Sequence, residues 1–166
     1  MACALKSPTL SRLAEMTSYE TITESPDETR QIGARLAAVL RPGDLVGLQG
    51  DLGAGKTVFT QGITEGIGAE QQATSPSFVL IHIYTGRIRL VHVDLYRLSS
   101  IQAEELGLDD YLAEAAGVVE WAERLVGLEP DLWVKISPLP EAPEQRRLEF
   151  LPQSTRGQEL AQSIRD

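Results

Sequence analysis

Cysteine occurs once in this chain of 166 residues, at Cys3. A single thiol excludes an intramolecular disulfide framework and a cysteine-rich zinc site, and the expected compartment is reducing and cytoplasmic. Cys3 itself reads as an inert tail thiol. Histidine is almost as scarce: His82 and His92 are the two present, too few to build a histidine metal centre. Lysine is limited to Lys6, Lys56 and Lys135, and 15 basic residues face 24 acidic ones for a net charge of −9. Such a chain does not grip nucleic acid by itself, because phosphate contacts need clustered lysine and arginine. Aromatics make up 5% of the sequence, so the core is expected to be aliphatic. No apolar run reaches the roughly 18 residues of a membrane span. Residues 1–16 lack the apolar stretch of a secretory signal. Residues 1–18 are therefore read as a disordered leader and 19–166 as one domain, a length that suits a single core.

What is present alternates between strand and helix patterns. Ser25-Pro26-Asp27-Glu28 opens the first helix: Ser25 can cap, Pro26 suits the first helical position, and Glu28 stands three residues after the cap. Ile32, Leu36, Val39 and Leu40 recur at helical spacing until Pro42-Gly43 ends the element. Residues 45–49 read as a short strand, and a helix is expected over about 56–67, closed by Gly66 and Gly68. Residues 78–84 and 88–95 read as a hairpin turning at Thr85-Gly86-Arg87, with Gly86 supplying the turn. Within its second strand, Ile88, Leu90 and His92 share one face and Arg89, Val91 and Val93 the other. Residues 102–115 read as a helix broken near Gly107, and Val118-Val119 as a brief buried strand. Residues 132–136 and 147–151 read as strands joined by a proline-rich loop over 138–143, and the last ten residues as a short helix.

Between the first strand and its helix lies Gly50-Asp51-Leu52-Gly53-Ala54-Gly55-Lys56-Thr57, which fits G-x-x-x-x-G-K-[ST]. Its glycines let the backbone curl until successive N–H groups point into one concavity, and the helix opening near Lys56 adds its positive dipole end. Lys56 supplies a cation for the β- and γ-phosphates, and the Thr57 hydroxyl can ligate Mg²⁺. With glycine near 7% of residues, a chance match is on the order of one in a few hundred. Residues 50–57, with Val58 behind them, are the candidate contacts to ATP or ADP. A site of this kind needs a carboxylate at the end of a neighbouring strand, holding Mg²⁺ directly or through water. Asp94 and Glu120 each end a predicted strand, and the residue pattern leaves open which is the direct ligand. The predicted fold is α/β: a single P-loop NTPase-like domain whose sheet is mixed, mostly parallel, with an antiparallel hairpin and flanking helices.

The P-loop is followed in order by Ser75-Pro76-Ser77-Phe78, His92-Val93-Asp94-Leu95-Tyr96-Arg97-Leu98 and Glu120-Trp121. This series resembles the bacterial ATPase family of tRNA threonylcarbamoyladenosine biosynthesis, the TsaE type, over about residues 25–150. The P-loop is generic; the H-x-D-x-Y-R-L run and the Glu-Trp pair make the resemblance specific. It implies ATP hydrolysis that supports formation of the threonylcarbamoyl group on adenosine 37 of tRNAs reading codons that start with A. It also implies protein partners of the TsaD and TsaB types, with tRNA met only through that complex. Lys56 and Thr57 are then the phosphate lysine and a Mg²⁺ ligand, and Glu120 the second Mg²⁺ ligand. Asp94 is a catalytic carboxylate near the γ-phosphate, alongside Lys56 and Glu120. Ser77 belongs to a switch-like loop over the phosphates, Thr29 lies near the adenine, and Trp121 lies beside the nucleotide. One departure is Ser77, where the family usually carries threonine; the hydroxyl is kept. The leader before Tyr19 is also longer than is usual in the family.

Two other classes fit the residues: a small-molecule P-loop kinase, and a nucleotide-sensing adaptor with little turnover. A kinase lid usually carries arginine, and Arg124 is the one base among nine acids in residues 104–131. That stretch holds −8 of the −9, and reads either as a solvated acidic face or as a docking face for a basic partner. His92 reads as a structural hydrogen-bonder rather than a base, His82 as an ordinary strand residue, and Trp133 as core. Tyr96 and Arg97 are expected either to pack on the acidic helix or to meet a partner.

Overall fold

The computed structural model describes residues 16–74 and 80–165. The segment with Ser77 and most of the leader lie outside the described residues. In chain order the elements are β1 (Tyr19–Thr23), α1 (Pro26–Ala37), β2 (Leu45–Gln49), α2 (Lys56–Gly66), β3 (Ile81–Thr85), β4 (Arg89–Asp94), β5 (Ile101–Gln102), α3 (Leu108–Leu112), β6 (Ala115–Glu120), a 3-10 turn (Ala122–Arg124), β7 (Leu125–Val126), β8 (Leu132–Leu139), β9 (Ala142–Pro152) and α4 (Thr155–Arg165).

Among the described residues seven strands form one sheet in the order β1-β9-β8-β2-β6-β4-β3, and β5 and β7 form a small second one. β8, β2, β6 and β4 pair in parallel at the centre. β9 is antiparallel to β8, β1 to β9 and β3 to β4, so β9 and β3 alone run against the other five. The sheet is therefore mixed and mostly parallel, as expected, with a second antiparallel hairpin (β8–β9) beside the one at β3–β4. Both faces of the centre are covered, which is why β6 is buried at every residue and reads as a continuous apolar run. One face packs Leu48, Leu90 and Val118 against Leu36, Phe59, Ile63 and Leu160 from the helices. The other packs Val91, Val93 and Val119 against Leu108 and Leu112. The alternation expected for β4 is thus realised.

Local chemistry explains the first helix. Ser25 accepts a hydrogen bond from the Glu28 N–H at 3.3 Å, and Glu28 returns one by accepting from the Glu24 N–H at 2.7 Å. The helix stops at Ala37, short of Pro42-Gly43, and Leu40 stays buried in the turn that follows. α1 crosses α2 very closely at Gly62, where a Cβ would lie 1.9 Å from the Arg30 carbonyl oxygen. Gly86 is not a conformational glycine, contrary to expectation. Its φ is not left-handed, and its place is set by contact, since a Cβ there would meet the Ile67 carbonyl oxygen at 2.1 Å.

Three further expectations need correction. The break expected near Gly107 is present, with Gly107 left-handed at φ 64°, but the helix on either side is shorter than expected: Gln102 belongs to β5, and within 102–115 only Leu108–Leu112 is α-helical. Tertiary pairing overrides the helical pattern there, since the Ala103 N–H is bonded to the Val126 carbonyl at 2.8 Å. The strand at Val118-Val119 extends over Ala115–Glu120, because parallel partners flank it on both sides and accept its small residues. The proline-rich loop is mostly strand. β8 runs through Pro138, where a register irregularity at Pro138/Leu139 relieves the missing N–H, and β9 begins at Ala142. The edge strand β1 had no counterpart in the sequence reading.

Candidate functional site

The carboxyl ends of β2, β4 and β6 open into one cleft, the usual ligand position in an open α/β sheet. β2 feeds a loop in which Gly53 (φ 79°) and Gly55 (φ 112°) are left-handed, curling the backbone before α2 begins at Lys56. The cleft has a volume of about 220 Å³ and brings together the predicted residues Leu52, Gly53, Gly55, Lys56, Thr57, Val58, Asp94, Glu120 and Trp121. Ala54 is buried beneath the loop, while the carbonyls of Gly50 and Asp51 accept from Lys56.

Asp94 and Glu120 are register partners across β4 and β6, and only 6% and 3% exposed. Glu120 Oε1 accepts from the Thr57 hydroxyl at 3.2 Å and lies 2.8 Å from His92 Nε2. Asp94 Oδ1 accepts from the Tyr96 N–H at 2.8 Å, so this aspartate also shapes the turn that leaves the strand. Lys56 Nζ donates to the carbonyls of Gly50 (2.5 Å) and Asp51 (3.0 Å), and sits 4.4 Å from the centre of the Trp121 ring. Burial pushes the Lys56 ammonium below the ordinary lysine pKa, against the opposing pull of Glu120 and Asp94.

Trp121 is the one non-glycine residue with a left-handed backbone among the described residues (φ 58°). That conformation costs roughly 1–2 kcal/mol in an ordinary residue, and here it turns the chain sharply after Glu120. The indole lies against Lys56, the Tyr96 ring (centroids 5.1 Å apart) and the Arg124 guanidinium at 4.7 Å. Tyr96 therefore packs on Trp121 and not on the acidic helix. Arg124 also donates to the carbonyls of Leu95 (3.1 Å) and Tyr96, tying the two strand-end turns together. His82 is an ordinary strand residue, its Nδ1 lying 3.2 Å from the Tyr84 hydroxyl.

Arg146 was not anticipated. From β9 its Nε donates to the Ala54 carbonyl at 2.7 Å, bracing the glycine loop across a separation of 92 residues. Nothing local in the sequence announces that contact. Thr29 does reach the glycine loop, in a small cavity of about 80 Å³ shared with Gly53, Gly55, Val58 and Arg146. Its hydroxyl is already within 2.7 Å of the Thr23 hydroxyl, which explains its burial.

The acidic stretch does not form one face. Glu120 is inside the cleft, and Asp131 accepts from the Leu45 N–H (3.0 Å) and the Ser154 hydroxyl (2.8 Å). Glu129 accepts from the Trp133 indole N–H at 2.7 Å, so Trp133 is only part-buried and not full core. Glu104, Glu105, Asp109 and Asp110 are the exposed group around Gly107. Among the described residues no cluster of three or more His, Cys, Asp or Glu could hold a metal by itself. No described helix is long and apolar enough to cross a membrane.

Known proteins share both the sequence and the fold. A family model described as "Threonylcarbamoyl adenosine biosynthesis protein TsaE" matches residues 23–148. The chain is 36% identical over 144 residues to the tRNA threonylcarbamoyladenosine biosynthesis protein TsaE of Bacillus subtilis, covering 86% of this chain and 90% of that one. It is 48% identical over 99 residues to the protein of the same description from Streptomyces coelicolor, covering 57% and 67%. The crystal structure of Bacillus subtilis YdiB superposes with a TM-score of 0.74 at 32% identity, over 90% of this chain and 95% of that one.

Proposed function

The chain belongs to the TsaE family of threonylcarbamoyladenosine biosynthesis proteins, and from that premise we propose that it binds ATP with Mg²⁺ in this cleft and hydrolyses it. The hydrolysis supports threonylcarbamoylation of tRNA in the cytoplasm, on a complex with subunits of the TsaD and TsaB types that hold the tRNA. The observation that carries the nucleotide reading is the 3.2 Å contact between the Thr57 hydroxyl and Glu120, two hard oxygen donors brought together beside a lysine at a helix N-terminus. Mg²⁺ prefers such oxygens and keeps the rest of its shell for water and phosphate, so one hydroxyl and one carboxylate suit it without a dedicated cage.

In this reading the loop N–H groups and the start of α2 cradle the phosphates. Lys56 turns from the Gly50 and Asp51 carbonyls to the β- and γ-phosphates, and the polyanion offsets the cost of its buried charge. Thr57 and Glu120 hold the cation, which neutralises charge developing on the phosphates when bound. Asp94, beside Glu120 on β4, orients the attacking water. Trp121 flanks the nucleotide, Thr29 lies on the adenine side of the glycine loop, and Ser77, outside the described residues, is a further contact that the family resemblance implies. A kinase lid is disfavoured, because Arg124 is engaged with two carbonyls and the Trp121 ring.

The test is ATP turnover measured with and without the two partner subunits, on the wild type and on Lys56→Ala. The wild type is expected to hydrolyse ATP, faster in the complex, and folded Lys56→Ala to fall to background. Equal turnover by the two proteins ends the P-loop reading. Nucleotide binding without turnover in either state leaves the adaptor.

A further inference from the structure

His92 sits in the middle of β4, fully buried, in register with His82 on β3 and Val118 on β6. Its neighbours on the strand, Leu90, Val91 and Val93, are apolar and meet the surrounding core without polar cost. A histidine here carries two ring nitrogens out of water. Nε2 lies 2.8 Å from Glu120 Oε1. Nδ1 has no hydrogen-bond partner among the described residues. The Tyr84 ring is 6.3 Å away, centre to centre, but its hydroxyl is taken up by the Thr74 N–H and His82 Nδ1. An orphaned buried nitrogen is costly, and packing alone favours an aliphatic residue at this position.

The compensation lies in Glu120. Its Oε1 accepts from Thr57 and lies 2.8 Å from His92 Nε2, where an ionised carboxylate can only accept, while Oε2 lies 3.5 Å from the Thr57 hydroxyl. Two donors fix one carboxylate oxygen from two different elements, β4 and α2. The flexible glutamate is thereby held in one orientation in the wall of the cleft that it lines with Thr57. We infer that His92, carrying its proton on Nε2, is a positioning residue that aims Glu120 at the divalent cation of the bound nucleotide. It acts through Glu120 and touches neither nucleotide nor metal. The inference rests on the nucleotide reading above, and follows the general rule that hydrogen bonds to a ligating carboxylate tune its hold on the metal.

The experiment compares wild type, His92→Leu and His92→Gln. ADP binding is titrated by calorimetry with EDTA and then with increasing Mg²⁺, beside a thermal melt and a ¹⁵N-histidine spectrum of the unliganded wild type. The spectrum is expected to show His92 protonated at Nε2 and bare at Nδ1. His92→Leu is expected to keep its Mg²⁺-free ADP affinity while its Mg²⁺ half-saturation rises ~10–100-fold. His92→Gln, whose amide can donate toward Glu120, restores most of the loss. If His92→Leu fails to fold, His92→Asn replaces it: the shorter amide cannot reach Glu120, so Mg²⁺ dependence is lost in Asn and kept in Gln. Wild-type Mg²⁺ half-saturation in the leucine or asparagine variant overturns the positioning role and leaves the nucleotide reading intact. So does an equal loss of metal-free and metal-bound affinity without rescue by glutamine. A wild type that binds ADP with no Mg²⁺ dependence overturns the cation assignment and the inference with it, and one that binds no ADP overturns the nucleotide reading itself.

Discussion

Glu120 and Asp44 are both buried carboxylates, 3% and 5% exposed, at opposite ends of the parallel strands. Their surroundings could hardly differ more. Asp44 accepts from Nε and Nη2 of Arg156 at 2.8 Å each, and also from the Arg41 N–H at 2.8 Å. The guanidinium is held more firmly protonated by that aspartate and is fixed further by the Val39 carbonyl at 2.6 Å. Glu120 has a hydroxyl and an imidazole, while the nearby Lys56 ammonium is turned to backbone carbonyls. A bidentate arginine saturates a carboxylate and makes it structural. Donors that orient a carboxylate without cancelling its charge leave it able to attract a cation. The contrast marks which of two equally buried acids belongs to the fold and which to the chemistry.

Asp94, the register partner of Glu120, extends the contrast and should give the largest effect. In Asp94→Ala, turnover in the partner complex is expected to fall by about 10²–10⁴-fold, as for loss of a positioned base. Nucleotide affinity should hold or improve, because a carboxylate beside phosphate is repulsive. Titration and turnover on the same preparation check this, and parallel loss of both would make Asp94 structural. Next comes Glu120→Gln. Its amide oxygen still accepts from Thr57 and His92, so a melt should show stability changed by no more than about 1 kcal/mol. Mg²⁺-dependent ADP binding should weaken by at least about 10–100-fold.

Asp44→Ala should invert that pattern. It leaves the Arg156 guanidinium without its main partner, at a cost of about 3 kcal/mol; a melt is expected to fall roughly 6–12 °C for a chain of this size. Nucleotide affinity per folded molecule should not change. A variant that melts normally but fails to bind nucleotide would break the contrast. The smallest effect is expected at the exposed acids Glu104, Glu105, Asp109 and Asp110. Reversing their charge should slow association with the partner subunits a few-fold at low salt and flatten its salt dependence. Association kinetics that do not move would leave a solvated acidic surface.

The site was more legible than the fold around it, for physical reasons. A phosphate-binding loop needs glycines, a lysine and a hydroxyl contiguous in the chain, so residues 50–57 carry their meaning locally. Asp94 and Glu120 were legible because each ends an apolar strand. Arg146 on Ala54 and Arg156 on Asp44 span separations of 92 and 112 residues, and no local pattern encodes them. The acidic count over 104–131 was legible in part: most of its acids are exposed, as a solvated stretch requires, but Glu120 is buried in the cleft and Asp131 is engaged by the Leu45 N–H and the Ser154 hydroxyl.

By itself, then, the sequence determined what adjacent residues can do: the glycine loop, the cap at Ser25, the apolar alternation of β4 and the acids at strand ends. Only the tertiary structure decided strand order, the second hairpin, the truncation of the helix to Leu108–Leu112 and which histidine meets which acid. The division follows from range. Turn, cap and strand preferences act over a few residues, whereas the pairing of His92 with Glu120, 28 residues apart, exists only after β4 and β6 lie side by side in register.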